Sequence, residues 1–148
     1  MTRIRLAASV LVVLWLAGCE GPFANFPGGA LGGTPTAVPG SWAFTDDIDT
    51  IQLETNPAEP YSVNIWVVAL DDKLYVHAGD NRAAWVAHIE ADSSVRLQAD
   101  DAVYELAASR VTGQAEFDRF ADAYADKYYG RPGNENIGEI YLFRLAAR

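Results

Sequence analysis

The sequence has few of the residues that carry thiol, metal or phosphate chemistry. It contains one cysteine, two histidines, and 11 basic residues against 20 acidic ones. A single cysteine excludes an intrachain disulfide and a metal cluster built on several thiolates. The net charge of −9 disfavours nucleic acid, because phosphate backbones are bound by clusters of Lys and Arg. We therefore expect no disulfide and no nucleic-acid partner.

A mainly apolar run from Leu6 to Leu16 follows Arg3 and Arg5 near the N-terminus. This run is too short for a membrane-spanning helix, which needs about 18 apolar residues or more. A basic start, a short apolar stretch and then small residues are typical of a secretory signal peptide. Residues 1–18 are therefore predicted to be a signal peptide.

The four residues Leu16-Ala17-Gly18-Cys19 resemble the lipobox of bacterial lipoproteins, which are cut just before a cysteine that carries a diacylglyceryl thioether. The resemblance implies a lipidated Cys19 and attachment to the membrane through acyl chains such as palmitate. Two or more chains hold a protein firmly. Two alternatives stay open, an ordinary signal peptide with an incidental cysteine and a free catalytic thiol.

The same resemblance implies a location in the bacterial cell envelope. Glu20 after the cysteine implies the outer membrane, facing the periplasm, if the host sorts lipoproteins as enteric bacteria do. Loss of the two N-terminal arginines leaves nine basic and 20 acidic residues, a net charge of −11. Such a surface repels anionic lipid, so the domain is expected to stand off the bilayer. The arginines do not form a twin-arginine pair, so we expect export of the unfolded chain.

Residues 19–40 are predicted to be a flexible tether that carries the lipidated Cys19. The stretch from Glu20 to Gly40 contains six Gly, four Pro and no apolar periodicity. It therefore buries too little apolar surface to offset the entropy lost on ordering. One folded domain is expected over residues 41–148.

Apolar periodicity predicts six strands and two helices in this domain. The strands are predicted at residues 49–54, 61–70, 73–78, 95–98, 102–111 and 137–145, and the helices at 82–91 and 112–129. Residues 61–70 are apolar on both faces, which favours a central strand covered on both sides, with Trp66 buried. The order β-β-β-α-β-β-α-β favours a small closed or nearly closed barrel. The predicted fold class is mainly β with two helices (α+β), a small six-stranded split β-barrel.

The order of elements and four short motifs resemble the split β-barrel superfamily of pyridoxamine-phosphate oxidase and the deazaflavin-dependent nitroreductases. The motifs are Ile65-Trp66-Val67-Val68, Leu74-Tyr75-Val76, Arg82 with Trp85, and Ala123-Tyr124-Ala125-Asp126-Lys127-Tyr128. The resemblance covers about residues 48–145. It implies a split barrel, which in this superfamily is often a homodimer.

The resemblance also implies where FMN or a deazaflavin would bind. Its phosphate would lie between the third strand and the next helix, at residues 77–82, with Arg82 and Lys127 toward the phosphate and Trp85 beside the ring. Asp80 would repel a phosphate there, and the loop holds one basic residue. We therefore expect no cofactor, with FMN or a deazaflavin as the alternative.

In a simpler interpretation of the same loop, Asp80 or Asn81 caps the helix and Arg82 is solvated. A metal site is also not expected. His77 and His88 stand eleven residues apart, and with Asp80 they do not match the spacing of a known ligand set.

We therefore expect a lipid-anchored cell-envelope protein whose split-barrel domain acts as a binding or interaction module without catalysis. One alternative is a flavin- or deazaflavin-dependent oxidoreductase. Another is a carrier of a small apolar ligand in the barrel mouth.

Overall fold

The computed structural model describes residues 21–80 and 82–148. The predicted signal peptide and Cys19, the predicted lipidation site, lie outside these residues. The strands are β1 (Thr34–Pro35), β2 (Thr50–Thr55), β3 (Tyr61–Trp66), β4 (Val68–Leu70), β5 (Lys73–Ala78), β6 (Ser94–Ala99), β7 (Ala102–Arg110) and β8 (Tyr141–Ala147). The helices are a 3-10 helix (Ala43–Asp47), α1 (Ala84–Ala91) and α2 (Gln114–Tyr128). In the described part of the chain, no helix is long and apolar enough to cross a membrane.

The strands form one sheet in the order β3-β2-β6-β7-β8-β5-β4, and β1 pairs with β7 in parallel. The two strands at opposite ends of this order, β3 and β4, are consecutive in the chain and separated only by Val67. The sheet therefore curls until its two ends meet through the chain itself. β3 and β5 lie next to each other, but among the described residues they are not paired by backbone hydrogen bonds. We call the line between them the seam, bounded by Ile65 and Trp66 on β3 and His77 on β5.

This architecture confirms the predicted fold class, a mainly β split barrel with two helices. The number of strands differs from the six predicted, since the described residues contain eight. Two changes account for the difference. The predicted strand at residues 61–70 divides at Val67, and β1 lies in the segment predicted to be a tether.

The barrel interior is filled by side chains that alternate along the strands, as a strand with one inward face requires. Fully buried leucines occupy its centre: Leu53, Leu74, Leu97, Leu106 and Leu145. Helix α2 packs on the outside of the barrel through the predicted apolar stripe, of which Phe117, Phe120, Ala121 and Tyr124 are buried. The structure thus has one core inside the barrel and a second between α2 and the sheet.

The prediction that residues 61–70 form one strand covered on both sides is wrong. The inward Ile65 packs against the barrel core, but Trp66 faces outward and is 49 % exposed. Its indole ring stacks on Tyr128 of α2, with ring centroids 4.6 Å apart. Because the chain changes partner strands at Val67, each half of the segment has a ladder on one side only.

Residues 21–36, which we call the N-terminal strap, contact β3 and β2 and then reach β7, with which β1 pairs. Gly28 and Ser62 exchange two backbone hydrogen bonds of 2.9 Å. The amide of Leu31 donates to the buried carboxylate of Glu54 at 2.6 Å, and Arg96 pairs with the same carboxylate at 3.0 Å. Because the barrel satisfies the polar backbone of this segment, the prediction of a free tether is wrong for the strap.

Glycine and a single buried leucine explain why the strap orders despite its composition. Leu31 is 4 % exposed and supplies the apolar anchor. A Cβ atom at Gly33 would lie 2.7 Å from the carbonyl oxygen of Asp101, so the absence of a side chain allows the strap to approach β7. The high glycine content here permits close packing, as it does where one backbone crosses another.

The loop between α2 and β8 is longer than predicted. The last strand was expected from residue 137 but begins at Tyr141. Asn136 holds the preceding turn, since its backbone carbonyl accepts from Glu139 and Ile140 at 2.9 and 3.1 Å. The local hydrogen bonds of this turn replace the ladder that the apolar pattern had suggested.

Candidate functional site

Arg82, the predicted phosphate ligand, lies at the surface beyond β5 with its side chain 87 % exposed. Its Nε donates to Asp80 Oδ2 at 2.7 Å, and its backbone N–H donates to Oδ1 at 2.9 Å. These hydrogen bonds raise the pKa of Arg82 and lower the pKa of Asp80. Helix α1 begins at Ala84 after an N-cap residue without a side-chain cap hydrogen bond. Asp80 therefore holds Arg82 and does not cap the helix, and Asn81 lies outside the described residues.

Trp85, the predicted ring-stacking residue, lies in the barrel core. Its side chain on α1 is 6 % exposed, and it packs edge-on against Phe143 with centroids 5.8 Å apart. A cofactor ring could stack on this indole only if core side chains moved apart. The residue closes the barrel together with Val86 and Ile89 of the same helix.

Lys127, the third predicted residue, binds three backbone carbonyl groups, in the 3-10 helix, directly after it, and between β3 and β4. Its Nζ donates to the carbonyl oxygens of Thr45, Ile48 and Val67 at 2.7, 2.8 and 2.9 Å. An ammonium group has three protons, so this arrangement uses all of them. Burial lowers the pKa of Lys127 from its ordinary value, while three nearby aspartates act in the opposite direction.

The structure does not bring Arg82, Trp85 and Lys127 to one place. Arg82 lies in a surface ion pair, Trp85 lies inside the barrel, and the protons of Lys127 are committed to carbonyl oxygens. As they stand, these three residues do not fit the phosphate and ring of a flavin. We therefore derive no reaction step through that cofactor.

The two histidines are also separate. His88 Nδ1 lies 3.1 Å from the hydroxyl of Thr55, whereas His77 on β5 packs against the aromatic side chains of α2. Among the described residues, no group of three His, Cys, Asp or Glu side chains is arranged to hold a metal ion. His77 instead belongs to a cleft that the sequence analysis missed.

The cleft lies over the seam, beside the N-terminal strap. It has a volume of about 460 Å³, within the range of about 300–1,000 Å³ typical of small-molecule sites. Ala24 and Asn25 of the strap line it together with Trp66 and His77. Thr50, Asn64 and Ile65 complete the lining. This lining contains amide, hydroxyl and aromatic groups but no acidic or basic side chain other than the imidazole.

Aromatic side chains hold the inner wall of the cleft. Trp66 is parallel to Tyr128, with an interplanar angle of 11°, so one face of the indole is covered. The side chain nevertheless remains 49 % exposed and lines the cleft. The His77 ring meets Tyr124 edge-on at 5.2 Å and Phe120 at 5.4 Å. The wall thus presents an open aromatic surface on a rigid, packed support.

The groups of this wall are uncharged at neutral pH. Burial lowers the pKa of His77 from its ordinary value of 6.5. Burial also raises the pKa of Tyr128 to about 12 and that of Tyr124. A neutral imidazole offers one donor and one acceptor nitrogen. The cleft can therefore stack a flat ring and form hydrogen bonds with it, without favouring a charged ligand.

The sequence contained a weak signal for this cleft. The period of two places Tyr75 and His77 on the outer face of β5, and Tyr124 and Tyr128 lie one helical turn apart. The sequence did not show that Trp66 faces outward, because in a segment that is apolar on both faces the pattern does not indicate which residues are exposed.

Comparison with known proteins identifies the fold. No family model and no curated protein matches the chain. Among solved structures, ChuZ from Campylobacter jejuni aligns over 72 % of this chain with a TM-score of 0.58 and 14 % identity. HutZ, the heme storage protein from Vibrio cholerae, aligns over 72 % of this chain and 86 % of its own, with a TM-score of 0.55 and 17 % identity.

A pyridoxamine 5′-phosphate oxidase candidate from Listeria innocua aligns over 70 % of this chain and 87 % of its own, with a TM-score of 0.55 and 11 % identity. The chain spans 50 % of the length of ChuZ. These similarities confirm the predicted likeness to split-barrel proteins of the pyridoxamine-phosphate oxidase type. At such low identity, they show the fold alone.

Proposed function

We propose that this protein is a lipid-anchored component of the bacterial cell envelope whose split-barrel domain binds a small, flat, uncharged ligand without catalysis. The observation that carries the proposal is the cleft over the seam. In it, the open indole surface of Trp66 lies beside a neutral His77, and the lining has no acidic side chain and no lysine or arginine.

The shape of the cleft favours a flat ring. Stacking on an aromatic side chain contributes about 0.5–1.5 kcal/mol beyond the burial of its area. Asn25, Thr50 and His77 provide hydrogen-bonding groups around that surface. HutZ, a heme storage protein with this fold, is an example of a split barrel associated with a flat ring.

Two features of the cleft disfavour catalysis and a phosphate-bearing cofactor. A general-base histidine is usually oriented by a carboxylate, and none lines this cleft. A phosphate would require fixed positive charge, but the two predicted cationic ligands lie elsewhere, Arg82 paired with Asp80 and Lys127 with backbone carbonyls.

The barrel interior does not suit a carrier of apolar ligands, since buried side chains fill it. An apolar ligand would need to bind on the outer face, where the cleft lies. The proposal therefore keeps the idea of a small ligand and assigns it to the seam.

The test compares two probes that share one ring. Lumiflavin carries the flavin ring without phosphate, and FMN carries it with phosphate. We expect lumiflavin to bind the purified full-length protein at least as tightly as FMN, measured by quenching of flavin fluorescence. Trp66→Ala should weaken lumiflavin binding about two- to tenfold, the loss of one stacking contact. Tyr129→Ala, which removes an aromatic ring that is 97 % exposed elsewhere, is the control.

Two results would contradict the proposal. Absence of lumiflavin binding at millimolar concentration would rule out the proposal that the cleft binds a flat ring. Binding of FMN at least tenfold tighter than lumiflavin, and lost in Arg82→Ala, would instead support the oxidoreductase.

The lipid anchor has its own test. Cys19→Ser removes the thiol that would carry the diacylglyceryl group, so the variant should not incorporate labelled palmitate. Equal labelling of the variant and the native protein would show that this cysteine is not the lipidation site.

A further inference from the structure

We propose that the turn Phe23–Phe26 inserts its two phenyl rings into the lipid bilayer and fixes the barrel against the membrane surface. The proposal rests on the lipid anchor at Cys19. It replaces the expectation that the domain stands off the bilayer on a flexible tether.

The turn is closed and well defined. Phe26 N–H donates to the Phe23 carbonyl at 2.8 Å, and Phe23 N–H donates to the Phe26 carbonyl at 3.1 Å. Ala24 has a φ of 52°, as the first central residue of a primed two-residue turn requires. This geometry places both phenylalanines at the base of one tight turn.

Both rings point into water although the turn itself is attached to the barrel. Phe23 and Phe26 are 78 % and 72 % exposed, while Asn64 Nδ2 on β3 donates to the Ala24 carbonyl at 2.9 Å. Exposure of two large apolar side chains on an ordered support is unfavourable in water. Adjacent exposed rings of this kind are typical of an interaction surface.

The surroundings of the turn are apolar and nearly uncharged. A hollow of about 600 Å³ beside the two rings is lined by glycine, proline and alanine residues, with Glu59 as its charged side chain. The hollow has no basic lining residue to attract anionic head groups, and the mature chain carries a net charge of −11. The contact therefore relies on burial of apolar surface and suits a zwitterionic bilayer.

The position of the turn in the chain selects the bilayer over a protein partner. Phe23 is four residues after Cys19, and four residues span at most about 14 Å. The strap fixes the following residues to β2 and β3. A lipid embedded through Cys19 therefore brings this turn to the membrane surface, where phenyl rings can enter the region of the acyl chains.

The experiment uses the absence of other thiols. Once Cys19 is acylated, a cysteine introduced by Phe23→Cys or Phe26→Cys is the only free thiol for a fluorescent label. Tyr129→Cys, at an aromatic position after α2 that is 97 % exposed, is the control. The full-length lipidated protein is reconstituted in phosphatidylcholine vesicles. Quenching is measured with iodide in water and with doxyl groups on lipid acyl chains.

Labels at positions 23 and 26 should be quenched by doxyl lipid and protected from iodide at least about threefold relative to the label at position 129. If all three labels are equally accessible to iodide while the protein floats with the vesicles, the protein is still attached to the membrane but the turn does not dock on it. The docking proposal is then overturned. Protection from iodide without quenching by lipid would assign the turn to a second copy or a protein partner, which also overturns it.

Mass spectrometry of the purified protein separates a failed anchor from a failed docking surface. If Cys19 proves unmodified, flotation of the native chain is compared with that of a chain carrying both Phe23→Ser and Phe26→Ser. A reduction in vesicle binding of at least about tenfold would support docking by the turn alone. Equal flotation of the two chains would overturn it.

Discussion

Replacement of Lys127 by methionine tests whether this residue is a structural clamp. The change keeps the length and apolar stem of the side chain and removes the ammonium group. In the native structure that group joins the 3-10 helix and its C-cap Ile48 to Val67, where the chain passes from β3 to β4. Loss of the clamp should therefore weaken the barrel where its two sheet ends meet.

The expected loss of stability depends on which hydrogen-bond donors each carbonyl oxygen retains after the substitution. A hydrogen bond to a charged group contributes about 1.5–3 kcal/mol. The Thr45 carbonyl still accepts from the backbone N–H of Ile48 at 3.0 Å. The single hydroxyl proton of Tyr128 is shared between the Val67 carbonyl at 2.9 Å and the Asp49 carbonyl at 2.7 Å. One acceptor thus keeps its own donor and a second keeps a shared one, so we expect a loss of about 2–4 kcal/mol in the free energy of unfolding, not the full sum.

Urea unfolding, extrapolated to water, measures this change. Lys73→Met, a substitution of the other lysine in the chain at an exposed position, is the control and should alter stability by less than about 0.5 kcal/mol. If Lys127→Met is as stable as the control and instead weakens FMN binding, Lys127 is a cofactor ligand and the clamp interpretation is wrong.

Four further substitutions test the roles of Trp85, Trp66, His77 and Glu54. Trp85→Ala should cost about 3–5 kcal/mol and Trp66→Ala about 1–2 kcal/mol in urea unfolding, because only the first indole is buried in the core; equal costs would contradict this placement. Burial lowers the pKa of His77, so the unfolded chain binds more protons than the native state and stability falls as pH drops through about 6.5; His77→Gln should reduce that fall between about pH 7.5 and 5.5, and an unchanged pH profile would show that His77 is not its source. Glu54→Gln should cost about 3 kcal/mol by leaving Arg96 unpaired and should speed hydrogen exchange in the strap, whereas unchanged exchange would show that this carboxylate does not hold it.

Local patterns predicted the hairpins and helices of this protein well. Asp71 and Asp72 were expected to form the turn before β5, and their φ angles of 50° and 56° confirm a primed hairpin turn. The stripe on α2 was visible because a helix buries one face at a period of 3.6 residues. In these cases the interacting residues are close in sequence.

The strap and the clamp were not predictable in the same way. The contact of Leu31 with Glu54 joins residues 23 positions apart, and it involves a backbone amide that leaves no trace in composition. Lys127 likewise bonds to carbonyl oxygens, which every residue possesses. The resemblance therefore placed Lys127 toward a cofactor phosphate, and the sequence did not reveal what the residue contacts.

The order of strands has a consequence for the time at which the protein can fold. Strand β8 lies between β7 and β5, so the barrel cannot close before residues 141–147 have been synthesised. Ribosomes add about 5–20 residues per second, and 62 residues separate Ala78 at the end of β5 from Tyr141. The edge of β5 therefore stays without its partner for several seconds after it is made. That delay keeps the chain open during synthesis, the state in which an unfolded polypeptide can still be threaded through a narrow export channel.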